Sequence, residues 1–82
     1  MNLVELTEYL VKAIVTNKDN VSVKEFASDD EDTIIIQVLV DEIDMGRVIG
    51  KGGKLATSIR TLVQASSYIK DNKKVKINID SF

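Results

Sequence analysis

A chain of 82 residues suits one domain, and its core is modest because a domain of that size buries only about 60% of its unfolded surface. It has no cysteine and no histidine, which excludes disulfides, thiolate metal sites and the side chain that most often serves as general base, zinc ligand or pH switch. The net charge is −2 and no apolar run approaches the roughly 18 residues of a membrane span, so composition alone points to no polyanion and no bilayer.

Leu3, Leu6, Leu10, Ala13 and Ile14 recur at helical spacing, widened by Val4, Val11 and Val15, which predicts an amphipathic helix over about residues 2–16. Glu5 and Glu8 interrupt its apolar residues and no small-residue cleavage site follows, so it does not read as a secretory signal; the expected location is the cytoplasm. Asn17-Lys18-Asp19-Asn20 is a turn cluster. Val21 and Val23 alternate with polar residues and lead to Phe26, a predicted strand. Ser28-Asp29-Asp30-Glu31-Asp32 reads as a solvated hairpin tip, since it lacks the glycine and distal glutamate of a calcium loop. Thr33 to Val40 is β-branched almost throughout, with Ile34, Ile36, Val38 and Val40 on one face, and is the strongest strand signal in the chain. Asp41-Glu42 opens a short helix reaching Ile49, with acids where a helix N-terminus favours them. Leu55, Ile59, Leu62, Ser66 and Ile69 mark a long helix over about residues 53–69. Asp71-Asn72-Lys73 turns the chain, and Val75, Ile77 and Ile79 alternate with Lys74, Lys76 and Asn78 as a last strand. The order α-β-β-α-α-β predicts an α+β fold, a three-stranded sheet with helices on one face.

Charge is spread unevenly over this order. Residues 1–44 carry three lysines against eleven acids, a net of −8, whereas residues 45–82 carry eight basic residues against Asp71 and Asp80, a net of +6. Such asymmetry fits a polyanion-binding face, and it equally fits solvated charges that happen to segregate. The segment Val48-Ile49-Gly50-Lys51-Gly52-Gly53-Lys54 separates these readings. Its glycines let a backbone come close to something bulky, and its lysines make that something anionic; a phosphate chain fits both. Nucleoside-triphosphate loops fit badly. Only three residues lie between Gly46 and Gly50 where four are needed, and Gly52 stands where Ser or Thr should follow the lysine. A dinucleotide fingerprint would need glycine at Leu55 and a strand before the turn. Gly-x-x-Gly between two helices, preceded by Val-Ile and followed by Ile59, is instead the pattern of a KH loop, which clamps a nucleic-acid backbone.

Residues 33–80 thus resemble a KH core, and the helix and strand ahead of it, within residues 1–28, resemble the type II order. The run Asp44-Met45-Gly46-Arg47-Val48-Ile49-Gly50-Lys51, then Gly53, Ala56, Ile59-Arg60-Thr61-Leu62-Val63 and Ala65, resembles the KhpA family of small bacterial single-KH RNA-binding proteins. Tyr9 to Val15, Asn17 and Val21-Ser22-Val23 are similar to that family's first helix and strand, so the resemblance covers essentially the whole chain as a single domain, 1–82. Three positions depart from it: Lys18 where proline is frequent, Gly52 where Gln or Lys is frequent, and Thr57 where a basic residue is frequent.

The resemblance implies a groove between the glycine loop with its helices and a sheet strand, holding about four unpaired nucleotides of single-stranded RNA. By position, Gly50 and Gly53 would admit the sugar-phosphates, Lys51 and Gly52 form the variable middle pair, and Val48 and Ile49 would floor the groove. Arg47, Lys54 and Arg60 would add phosphate contacts. No aromatic residue lies in the motif, so stacking should be weak, affinity modest and sequence specificity low. Val48 and Ile49 also suit a core, Arg60 also suits pairing with an N-terminal acid, and Lys73, Lys74 and Lys76 suit a solvated strand edge. The resemblance further implies a post-transcriptional regulator or RNA chaperone, small regulatory RNAs as targets, and links to cell shape and cell division. With no His and no Cys, no cofactor and no metal is expected.

A second reading is an interaction module. The long helix has more apolar surface than one stripe needs, since Ala56, Val63 and Ala65 lie off the Leu55–Ile59–Leu62 line. The resemblance implies self-association through the KH helices or pairing with KhpB, a larger Jag-type RNA-binding partner, with Leu62 and Ser66 as candidate contacts. A third reading, an enzyme, finds no nucleophile, base or paired carboxylates beside the loop.

Overall fold

A computed structural model describes residues 1–82. Strand alternation builds the sheet. β1 (Val21–Ala27) and β2 (Thr33–Val40) pair antiparallel across the acidic hairpin, and β3 (Lys74–Ser81) pairs parallel to β2, in the order β1-β2-β3. Register places Val23, Val38 and Ile79 in one row and Ile36 beside Ile77 in the next. Ile36, Val38, Val40 and Ile77 on this face are buried against the helices, while Ile35, Gln37 and Leu39 point to the other face and are half-buried. The hairpin tip is tied locally: the Asp30 carboxylate accepts from the Asp32 N–H at 2.9 Å and the Thr33 hydroxyl at 3.1 Å.

The first helix, α1, runs over Leu3–Lys12, shorter than the 2–16 its apolar spacing predicts. Its start is a capping box: the Asn2 side chain accepts from the Glu5 N–H at 2.8 Å, and the Glu5 carboxylate accepts from the Asn2 N–H at 3.1 Å. Its end is decided from elsewhere. The N–H groups of Thr16 and Asn17, which a longer helix would need, donate instead to the Asp44 carboxylate at 2.9 and 3.0 Å.

After β2 come a 3₁₀ turn (Glu42–Asp44), α2 (Met45–Ile49), a second tight turn (Lys51–Gly53) and α3 (Lys54–Lys70). The core joins Leu3, Val11 and Val15 to Ile36, Val38, Val40, Val48, Ile59, Val63 and Ile77, so α1 and the elements after it share one apolar interior. This is the α+β, type II KH arrangement expected from the element order.

The inward stripe of α3 departs from expectation. The buried positions are Ala56, Ile59, Val63 and Ser67; of the predicted stripe only Ile59 is among them, and Leu55, Leu62 and Ile69 face outward. Two apolar lines run side by side on this helix, and the one with small residues at both ends is the one that can lie close to the sheet. Ser67 is buried because its hydroxyl donates to the Lys73 carbonyl at 2.7 Å.

Candidate nucleic-acid interface

The glycine loop joins α2 to α3 by a sharp reversal. Gly50 ends α2 at φ 74°, ψ 173°, a region that only glycine adopts readily, and its N–H donates to the Gly46 carbonyl at 3.0 Å. Gly52 and Gly53 follow in left-handed conformations at φ 65° and 76°. The turn delivers the chain directly into the first turn of α3.

That first turn breaks two local rules. A helix N-terminus usually has a Ser, Thr, Asp or Asn cap and acids in its first turn, because its free N–H groups carry partial positive charge. In α3 the cap position is Gly53, no side chain caps it, no acid lies in the first turn, and the first helical residue is Lys54. Lys51 sits three residues before it, also exposed. Two cations are thus gathered at the positive end of a 17-residue helix. Neither has a carboxylate within 4 Å, the only ion pair being Lys12–Glu8 on α1 at 2.9 Å.

The other expected site residues are placed as follows. Arg47 is exposed on α2 and unpaired, close enough to Asp44 that its charge helps hold that carboxylate down. Val48 has no exposed surface and belongs to the core, so it cannot touch a base in this conformation; its neighbour Ile49 is 41% exposed on the outside of α2. Arg60 is exposed on α3 and pairs with no N-terminal acid. Its Nε donates weakly, at 3.4 Å, to the Ile77 carbonyl on the outer edge of β3. Arg60 thereby joins the helix to the edge strand seven residues after the loop. Leu62 is 53% exposed and Ser66 half-buried, both away from the glycine loop.

Two groups escaped the sequence reading. Asp44 is a buried carboxylate that accepts from Thr16 N–H, from the Thr16 hydroxyl at 2.7 Å and from Asn17 N–H. These bonds hold its pKa below the ordinary carboxylate value, led by the backbone bond from Thr16. Asp41 does parallel work: it caps the 3₁₀ turn through Ile43 N–H and accepts from the amides of Asn17 and Asn20, the Asn20 bond being the main cause of its lowered pKa. Together they pin the turn after α1 to the base of α2 and so hold the loop's first support in place. No motif marks a long-range contact of this kind. Gln64 is the second group. Its amide accepts from Val75 N–H and donates to the Lys73 carbonyl, both at 2.9 Å, and so imitates a partner strand on the outer edge of β3.

Comparison with known proteins shows the family of the chain. The family model described as KhpA/KhpB, KH domain, matches residues 4–79. The chain is 44% identical over 75 residues to the RNA-binding protein KhpA of Clostridium perfringens, covering 92% of this chain and 96% of that one. It is 35% identical over 78 residues to the RNA-binding protein KhpA of Borreliella burgdorferi, covering 95% and 92%. Among solved structures it resembles Era in complex with MgGDPNP and nucleotides 1506–1542 of 16S ribosomal RNA, with a TM-score of 0.68 at 16% identity. That match covers 96% of this chain but only 29% of the Era chain, so it speaks to the fold of one part of a larger protein. No helix is long and apolar enough to cross a membrane. On the extent of the family match and the identity to these relatives, the chain belongs to the KhpA/KhpB family of KH-domain proteins.

Proposed function

We propose that this chain binds single-stranded RNA by clamping its sugar-phosphate backbone against the Gly50–Gly53 loop. One observation carries the reading: an uncapped, acid-free helix N-terminus lies behind a bare glycine turn and is flanked by two unpaired lysines. Cations at that end of a helix destabilise it, so their placement is explained by an anion that binds there. Lys51 supplies charge at the loop, Lys54 and Arg47 flank it, and Arg60 extends the positive surface toward β3. Ile49 offers the apolar contact for a base. The names carried by the relatives, RNA-binding protein KhpA, support RNA as the anion. Regulation of transcripts, or service as an RNA chaperone, would follow from such a low-specificity clamp.

The test is fluorescence anisotropy with mixed-sequence single-stranded RNA, comparing the native chain with a Lys51→Asp/Gly52→Asp double variant. Position 52 has open space and a left-handed φ that Asp tolerates, so the variant should fold. The native chain is expected to show a log–log salt slope of roughly −2 to −3, as three or four phosphate contacts give, and the variant to bind at least about tenfold more weakly. Equal binding by the two proteins would rule out the loop as the clamp.

A second reading rests on the outward line of α3. Leu55, Leu62 and Ile69 recur at seven-residue spacing and are 41%, 53% and 85% exposed. Seven-residue spacing keeps side chains on one side of a helix, where a partner helix can cover them. The partner is a second copy of this chain or the KH domain of a KhpB protein, with Leu62 central and Ser66 beside it. Light scattering is expected to give twice the 9.1 kDa chain mass for the native protein and the single-chain mass for Leu62→Asp. A native monomer at high micromolar concentration would remove the self-pairing form of this reading.

A further inference from the structure

Tyr68 and the groove in front of it lie on α3 beyond the loop. A shallow groove of about 440 Å³ runs along the flank of α3 beside β3, lined by Arg60, Thr61, Gln64, Ala65, Tyr68 and Val75 together with Thr57. Its lining begins at Thr57, one turn into α3 from the loop, and reaches Tyr68 about 17 Å further along the helix axis. Its lining includes Arg60 and no carboxylate. Arg60, Gln64 and Tyr68 are four residues apart and stack along one side of the helix. The edge of β3 changes character along the same line. At Lys73 and Val75 its backbone groups are taken by the Gln64 amide, whereas further on only the weak Arg60 bond reaches Ile77. A strand following the groove therefore runs out of free sheet edge at Gln64 and next meets a phenol ring that is 51% exposed. The other aromatic residues, Tyr9, Phe26 and Phe82, do not line this groove.

From this placement we infer that Tyr68 is a stacking platform for an unpaired nucleobase of the same RNA strand, beyond the nucleotides held at the loop, with Arg60 neutralising the intervening phosphate. The inference rests on the RNA reading above and adds to it a length requirement. A base on a tyrosine face gains affinity without regard to its identity, so the site lengthens the footprint and leaves specificity low. A lone half-exposed tyrosine on a helix needs no explanation by itself. This one stands at the end of a groove that begins one helical turn past the loop and holds Arg60 and no carboxylate, so a strand held at the loop and continuing along α3 would be led to it.

The experiment uses the RNA oligomers CACA and CACACACA with the native chain, Tyr68→Ala, Tyr68→Phe and the Lys51→Asp/Gly52→Asp double variant, all followed by anisotropy. Tyr68→Ala is expected to weaken octamer binding roughly fivefold or more while leaving the tetramer unchanged, and Tyr68→Phe to keep native affinity for both. NMR of the native chain should show upfield shifts of the Tyr68 ring protons with the octamer and none with the tetramer. With two tyrosines and two phenylalanines the aromatic region is easily assigned. If the octamer binds through Lys51 but neither its affinity nor the Tyr68 ring protons respond, the stacking site is refuted and the clamp survives. If neither oligomer binds in a Lys51-dependent way, the clamp fails and the stacking site falls with it.

Discussion

Gly50→Ala is expected to lower the melting temperature by roughly 12–24 °C, corresponding to about 3 kcal/mol in a domain of this size. Two costs add. The backbone at φ 74°, ψ 173° disfavours any side chain, at about 1–3 kcal/mol. A Cβ there would lie 2.9 Å from both Cβ and Cγ of Leu55 and 3.0 Å from its backbone nitrogen. Leu55 stands at the start of α3, so relief of the clash must move the helix N-terminus that faces the proposed phosphates. RNA affinity should therefore fall even at temperatures where the variant is folded. Gly52→Ala is the control. Its φ of 65° is strained, at about 1–2 kcal/mol, but its Cβ meets nothing within 4 Å. Thermal unfolding by circular dichroism decides the matter. If the two variants melt within about 4 °C of each other, the close approach of loop and Leu55 does not exist in solution.

Removing the Asp44 carboxylate should have the other large effect. Asp44→Ala leaves the N–H of Thr16, the N–H of Asn17 and the Thr16 hydroxyl without their acceptor in a buried place, and unmade hydrogen bonds of this kind are costly. A fall in melting temperature on the order of 10 °C or more is expected. Asp44→Asn should sit between native and Ala. One oxygen can still serve Thr16, but its amide hydrogens would face the Asn17 N–H. Acid gives an independent reading of the same group. Because its hydrogen bonds hold the folded pKa below the ordinary value near 3.9, the contribution of Asp44 is fully present above that value and is lost as pH falls through the folded pKa. Asp41 and Asp30, lowered for similar reasons, act in the same direction. Urea midpoints measured from pH 7 to pH 2 should fall steeply below about pH 4 for the native chain and less steeply for Asp44→Asn, so that the two converge in acid. Parallel curves would mean that Asp44 is not the bonded carboxylate described above.

Much of this molecule was legible from local signals. The β-branched run Thr33–Val40 is a strand with the expected side inward, and the alternation at Lys74–Asn78 is the edge strand beside it. Asp41 caps a helical turn as an acid in that place should. The readings that changed share a cause. Val48 and Ile49 are adjacent and similar in character, yet one is sealed in the core and the other is exposed, because a five-residue helix has a single inward position between its ends. The stripe on α3 was read from its largest side chains, whereas packing against the sheet selected Ala56 and Ser67 over Leu55 and Leu62.

By itself, then, the sequence determined the element order, the glycine turn between two helices and the concentration of cations in the second half. These rest on local periodicity, on backbone freedom and on the chemistry of the residue types. The tertiary structure alone decided which of two apolar lines on α3 is spare, where α1 stops, and that Lys51 and Lys54 lack carboxylate partners. It also brought Tyr68 into line with Arg60 along the flank of β3. Each of these depends on residues distant in sequence meeting in space: Asp44 with Thr16, Gln64 with Val75, Arg60 with Ile77. Such meetings are set by how the helices settle on the sheet, and no local pattern of residues encodes them.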